Sequence, residues 1–287
     1  MKPSQSHFHD IRGLDYHVRT WGDVDAPALF LLPGWMDVSA SFQFLVDCLS
    51  REWHVIAPDW RGFGRTAWAR DGYWFVDYYA DLDALLDIYQ PGASVNLVGH
   101  SMGGNIAVTY AGLRPARIKR LVTLEGLGLA RTTADAAPGR LVKWLDALHE
   151  SPEFRPYASY DQVAQRLKRN NPRLTDEKAQ FLARHWATED PAGGVRLLSD
   201  PRHKAPNPYL FRIEEHLACW RRITAPVLLV SGRDSHIVAW LKDHPEELAE
   251  RKSAFADFRE VELADAGHML HHDQPRRLAE VIEAFLV

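Results

Sequence analysis

The amino-acid sequence predicts an α/β fold: a mostly parallel, doubly wound sheet with helices on both faces and a helical segment inserted into it. Three observations carry this. Short apolar runs of strand character alternate with segments of helical period at both ends of the chain. That rhythm lapses between about residues 127 and 220, where helical spacing continues without convincing strands. A Gly-x-Ser-x-Gly stretch, Gly99-His100-Ser101-Met102-Gly103, lies between one such run and one such helix.

The elements follow in order. Leu14–Trp21 alternates and reads as an early strand. Ala28–Leu32 is a continuous apolar run closed by Pro33-Gly34, as a strand buried on both faces should be. Residues 41–49 have helical spacing, and 54–57 form a short strand stopped by Pro58. Over 78–89, Leu82, Leu85, Leu86 and Tyr89 recur at three and four, the stripe of an amphipathic helix. Residues 95–98 are a buried strand; 103–113 are a helix that ends near Arg114-Pro115, because a proline drives its predecessor out of helical geometry. Ile118–Leu124 is a strand again. Beyond the lapse, 226–231 and Phe258–Leu263 resume the strands, and 278–286 is a closing amphipathic helix. Right-handed crossovers bring the carboxyl ends of such strands to one edge, where ligands bind. The inserted segment, rich in proline, arginine and aromatic residues, is expected to cover that edge. The domains expected are therefore a core of 1–126 and 221–287 and a cap of 127–220.

Composition narrows the function. The 287 residues are 46% apolar and 25% charged, with a formal net charge of −4. A chain of this size buries roughly 75% of its unfolded surface. The mild acidity gives no electrostatic case for nucleic acid, and Arg221-Arg222 and Arg276-Arg277 read as solvated helix faces. The first ten residues hold no apolar stretch of a secretory signal, and no run approaches the ~20 residues of a membrane span. A cytoplasmic protein acting on a small molecule is expected. Cys48 and Cys219 form no C-x-x-C pair and are expected as buried small hydrophobes. His271-His272 lack the helical spacing of a zinc site, so no metal and no cofactor is expected. They are expected at the surface or behind the residues that meet substrate.

The Gly-x-Ser-x-Gly stretch follows the apolar run 94–98 and opens a helix, which is the context its chemistry needs. A serine held on a sharp turn requires small neighbours, and Gly99 and Gly103 supply them. The helix start behind it favours developing negative charge. A serine hydroxyl is a poor nucleophile until a neighbour takes its proton. His268, in the loop Ala266-Gly267-His268 between the last strand and the closing helix, is the candidate base.

Taken in order, Pro33-Gly34-Trp35, Asp59-Trp60-Arg61-Gly62-Phe63-Gly64, the serine turn and Ala266-Gly267-His268 resemble the α/β-hydrolase family over nearly the whole chain. The stretches PGWMDVSASF and AGHMLHHDQP are most similar to its serine hydrolase-like branch. The resemblance implies an eight-stranded sheet with the insertion after the sixth strand. It also implies an oxyanion hole made of the Met102 and Trp35 backbone N–H groups. The acid stays open between two residues. The family's usual Gly-x-x-Asp reads here Gly232-Arg233-Asp234-Ser235, with the aspartate one residue early and Ser235 in its slot. Some members, such as one branch of the haloalkane dehalogenases, carry the acid after the strand that follows the serine helix. Glu125 stands there, 24 residues beyond Ser101. An ionisable group at the end of a buried strand needs a partner, and a histidine that becomes imidazolium would be one. Glu125 is the expected acid and Asp234 the alternative.

Trp35, Met36, Trp144 and Trp186 are expected to line the substrate pocket, the aromatics giving large apolar contact with few rotatable bonds. Hydrolysis of an ester or related acyl bond in a small, largely apolar substrate follows. Two alternatives stand beside it. The stretch from Phe30 to Gly64 is similar to cofactor-independent dioxygenases of 3-hydroxy-4-oxoquinolines, although Met36-Asp37-Val38 and Met102 stand where those carry histidines. A non-catalytic binding protein on the same fold is the other. Dehalogenases and epoxide hydrolases need an aspartate where this chain has Ser101.

Overall fold

The computed structural model describes residues 1–150 and 152–287. Its main sheet has eight strands: β1 (Ser4–Ile11), β2 (Leu14–Trp21), β3 (Ala28–Leu32), β4 (His54–Pro58), β5 (Val95–His100), β6 (Ile118–Leu124), β9 (Val227–Gly232) and β10 (Phe258–Leu263). The order across the sheet is β1-β2-β4-β3-β5-β6-β9-β10. All neighbours from β4 to β10 run parallel, while β1–β2 and β2–β4 are antiparallel. The sequence reading missed β1, an edge strand with half its side chains exposed, one buried and hence little apolar signal. It pairs with β2 through the two-residue turn Arg12-Gly13, where both residues have positive φ (54° and 78°). Such turns match the twist of a hairpin.

Helices cover both faces. α1 (Gln43–Cys48) and α11 (Pro275–Leu286) lie on one; α2 (Phe75–Tyr89), α3 (Met102–Leu113) and α7 (Ile213–Trp220) lie on the other. Successive side chains of a strand point to opposite faces, and β3 shows the consequence. Phe30 and Leu32 join Leu82, Leu86, Ile106 and Trp220, whereas Leu29 and Leu31 join Phe42, Leu45, Leu278 and Ile282. Burial on both sides is why these strands read as unbroken apolar runs. Cys48 and Cys219 are partly buried against these two clusters.

Between β6 and β9 the chain forms α4 (Ala137–Ala147), α5 (Tyr160–Asn170), α6 (Asp176–Trp186), the strands β7 (Ala187–Glu189) and β8 (Val195–Leu197), and α7. Two of these correct the sequence reading. β7 and β8 make a small antiparallel hairpin where no strand was expected; three residues are too few for a period-two pattern to register. α7, placed with the insertion, buries Ile213, Leu217 and Trp220 in the main core against α3. The part of the insertion from α5 to β8 has its own core of Val163, Leu167, Leu182, Val195 and Leu197, with Phe44. It is stitched to the body beside Gly62 and Gly64: Gly64 N–H donates to Leu198 O at 2.6 Å, and Asp200 N–H to Gly62 O at 2.8 Å. After β9 come α8 (His236–Lys242) and α9 (Pro245–Ser253), and after β10 the single turn α10 (Leu270–Asp273). Among the described residues, no helix is long and apolar enough to cross a membrane.

Candidate active site

The strand order reverses between β3 and β5, and the residues past their carboxyl ends meet there. Leu32 pairs with Gly99, so Pro33-Gly34-Trp35 stands beside His100-Ser101. A Cβ on Gly34 would fall 2.9 Å from His100 Nδ1 and 3.4 Å from Ser101 Cβ, so only glycine lets the turn come this near. Trp60 Nε1 donates to Pro33 O at 2.9 Å and pins the turn from below. Asp59 helps to shape the same region, its carboxylate accepting from Ser39 N–H (2.6 Å) and Arg65 N–H (2.9 Å) and pairing with His17 Nδ1 (2.7 Å).

Ser101 has φ 51° and ψ −112°, a conformation costly for a residue with a side chain. Its N–H donates to Leu124 O at 2.8 Å and its C=O accepts from Asn105 N–H at 3.0 Å, which locks the turn between β6 and α3. The flanking glycines are steric necessities. A Cβ on Gly99 would lie 2.3 Å from Gly103 O, and one on Gly103 would lie 2.2 Å from Leu32 O. Gly99→Ala is therefore expected to cost about 3 kcal/mol or more, the upper end of overpacking penalties, seen as a lowered Tm; a wild-type Tm would show that this turn can relax. Met102, the first residue of α3, carries one of the amides that a helix leaves without an internal partner.

Glu125 lies just past the end of β6 with φ 62°, again left-handed. Its side chain is fully buried and fully engaged. Oε1 accepts from Gly232 N–H at 2.6 Å, Oε2 accepts from Ser235 Oγ, and Oε2 stands 3.2 Å from His268 Nδ1. A carboxylate oxygen facing His268 Nδ1 favours the proton on that nitrogen and leaves Nε2 as a base. Ser235, which the sequence left merely as the occupant of the acid's usual slot, thus donates to the Glu125 carboxylate. Asp234, the alternative acid, is half-exposed and pairs with Arg173 Nη2 at 2.7 Å instead. Its backbone N–H is spent on Ala266 O at 3.0 Å. The His268 loop is tethered by Asp273, which accepts from Gly267 N–H (2.8 Å) and Asn171 Nδ2 (2.7 Å).

Ser101, Met102 and Asn105 open onto a cavity of about 720 Å³ between the body and the insertion. Trp35, Tyr73, Trp74, Phe75 and Tyr78 line one side, with Leu129, Trp144, Leu148, His203 and Pro208 on the other. Trp35 is half-exposed there, and Trp74 and Trp144 meet edge to face at 6.1 Å. Two expected lining residues are elsewhere. Met36 turns back at φ 56° and packs on the main core. Trp186, at the end of α6, packs in the insertion's own core. Nor are His271 and His272 at the surface: both are buried, at 0% and 3% exposure. The sequence missed His100, whose Nε2 donates to the backbone O of His268 at 2.8 Å. Asp37, His100 and His271 each offer a ligand atom within 4.8 Å of the other two. A tetrahedral zinc with ligands at about 2.0–2.2 Å needs them roughly 3.5 Å apart, so this group would have to close up to share a metal.

Comparison with known proteins fits this geometry. The profile of the alpha/beta hydrolase fold matches residues 27–275. A serine hydrolase-like protein of Danio rerio is 28% identical over 281 residues, covering 93% of this chain and 84% of that one. Lipase LipV of Mycobacterium tuberculosis is 28% identical over 284 residues, covering 95% and 98%. Among solved structures, the thioesterase domain from the curacin biosynthetic pathway superposes with a TM-score of 0.86 at 26% identity, covering 98% of this chain and 99% of that one. With the serine turn, the sheet order and the match over most of its length, the chain belongs to the alpha/beta-hydrolase family, as a hydrolase of its serine hydrolase-like branch.

Proposed function

We propose that the protein cleaves an ester or related acyl bond of a small, largely apolar substrate through an acyl-enzyme. The observation that carries this is the strained Ser101 at the floor of an aromatic cavity, in the same structure as the 3.2 Å contact of His268 Nδ1 with buried Glu125. Ser101 Oγ attacks the acyl carbon and His268 Nε2 takes its proton. Glu125 holds the imidazolium at Nδ1. The Met102 and Trp35 N–H groups receive the oxyanion. His268 then protonates the leaving oxygen as the acyl C–O bond breaks. A water, deprotonated by the same nitrogen, attacks the acyl-enzyme to release the acid and restore Ser101. The names of the relatives, a lipase and a thioesterase among them, support acyl chemistry.

In this reading the segment between β6 and α7 acts as a cap, since it furnishes one wall of the cavity. The walls are mostly apolar rings, which suit a bulky apolar acyl or alcohol group. A fluorophosphonate should label Ser101, and a panel of p-nitrophenyl esters should favour longer or aromatic acyl groups over acetyl. Trp144→Ala should raise KM for the preferred ester about tenfold, the order expected from losing part of a buried indole contact, while sparing the acetyl ester. Equal effects on both esters would put Trp144 outside the acyl site; no labelling of Ser101 would overturn the mechanism.

A further inference from the structure

Resting on the reading of His268 and Trp35 given above, we propose that His271 and Asp37 are positioning residues for the base. They form a buried line of side chains that ties the His268 loop to the turn carrying Trp35.

The line starts at His100, 2% exposed and adjacent to Ser101. The His268 carbonyl can only accept, so the proton of His100 sits on Nε2, 2.8 Å away. The His100 ring packs 4.8 Å from that of His268 and 4.6 Å from that of His271. His271 Nε2 stands 3.3 Å from Ser41 Oγ and 3.7 Å from Asp37 Oδ2. Asp37 closes the other end. Its N–H donates to Gly34 O at 3.3 Å across the turn that holds Trp35, and its Oδ1 accepts from Val38 N–H at 2.8 Å. His272 joins through Ser41 Oγ at 2.6 Å.

Burying a carboxyl and three imidazoles here is costly, and apolar side chains would fill the same space more cheaply. What apolar side chains lack is direction. His100 Nε2 fixes one carbonyl on the base's loop, His271 packs between His100 and Asp37, and Asp37 Oδ1 on Val38 N–H steadies the residue whose own N–H closes the Trp35 turn; a misplacement of about 1 Å at such groups costs on the order of 10² in rate. The line also stays uncharged where charge would harm. Burial holds His100 and His272 well below the usual imidazole range and His271 down to about 3. The imidazolium that forms on His268 therefore meets no second imidazolium from this line.

Kinetics on p-nitrophenyl esters, with kcat counted per fluorophosphonate-titrated site, test this. His271→Phe keeps the volume and removes the ring nitrogens. It should lower kcat roughly 10- to 100-fold with KM within about twofold. His271→Gln, whose amide nitrogen can stand near the place of Nε2, should recover most of the loss. Asp37→Asn should lower kcat in the same way. A role confined to packing would lower Tm and leave kcat per titrated site alone, and that result, or a loss confined to KM, overturns the proposal. If His271→Phe does not fold, Asp37→Asn decides on the same criterion. An inactive His268→Ala beside unchanged kcat in both variants overturns this inference alone. An active His268→Ala overturns the reading beneath it.

Discussion

Ser101→Ala is expected to lower kcat on an ester substrate by about 10⁶-fold while leaving Tm at the wild-type value. The serine adds little to packing: it is partly exposed at the cavity floor, and its turn is held by backbone bonds to Leu124 and Asn105 that alanine keeps. The loss is therefore one of chemistry. Nucleophile and base act as a unit, so His268→Ala should cost about as much, and the double variant hardly more. Residual activity of roughly 10³–10⁴ over water should persist, because the oxyanion donors proposed above are backbone groups that neither change removes. The measurement is kcat in folded protein, with Tm as control. Wild-type turnover in folded Ser101→Ala would end the acyl-enzyme mechanism.

Glu125→Gln should cost on the order of 10⁴ in kcat, and the geometry says why. Gly232 N–H donates to Oε1, so a glutamine must keep its oxygen there and turn its NH₂ into the place of Oε2. That NH₂ would face His268 Nδ1, now able only to accept. The imidazole proton moves to Nε2, and the nitrogen meant to deprotonate Ser101 has no lone pair. The shape survives and the tautomer does not. Asp234→Asn, by contrast, breaks a half-exposed pair with Arg173, worth about 1 kcal/mol or less, and should leave kcat within about twofold. The reverse ranking would return the acid's role to Asp234.

The distance from sequence to structure differs from element to element. Strands buried on both faces, such as Ala28–Leu32 and residues 121–124 of β6, were legible because their apolar residues answer to one core or the other. The serine turn was legible because its glycines answer to backbone contacts near 2.3 Å that no other residue satisfies. β1 and the β7–β8 hairpin were not, being held by backbone pairing that leaves little trace in side-chain pattern.

For the site, the sequence by itself determined the kind of chemistry present: a serine between a strand and a helix, a histidine after the last strand, and two carboxylates at strand ends. It favoured Glu125 over Asp234 but could not place either carboxylate against His268, because each follows a strand carboxyl end on the same side of the sheet. Nor could it tell that Trp144 faces the cavity while Trp186 turns inward, or that His271 is buried against Asp37. Only the tertiary structure decided these. The side-chain period of a strand or helix says which face a residue takes; which groups from distant segments meet there depends on how sheet, helices and insertion pack. Glu125 meets Ser235 and His268 because β6, β9 and β10 are successive neighbours in the sheet, although 110 and 143 residues separate it from them along the chain.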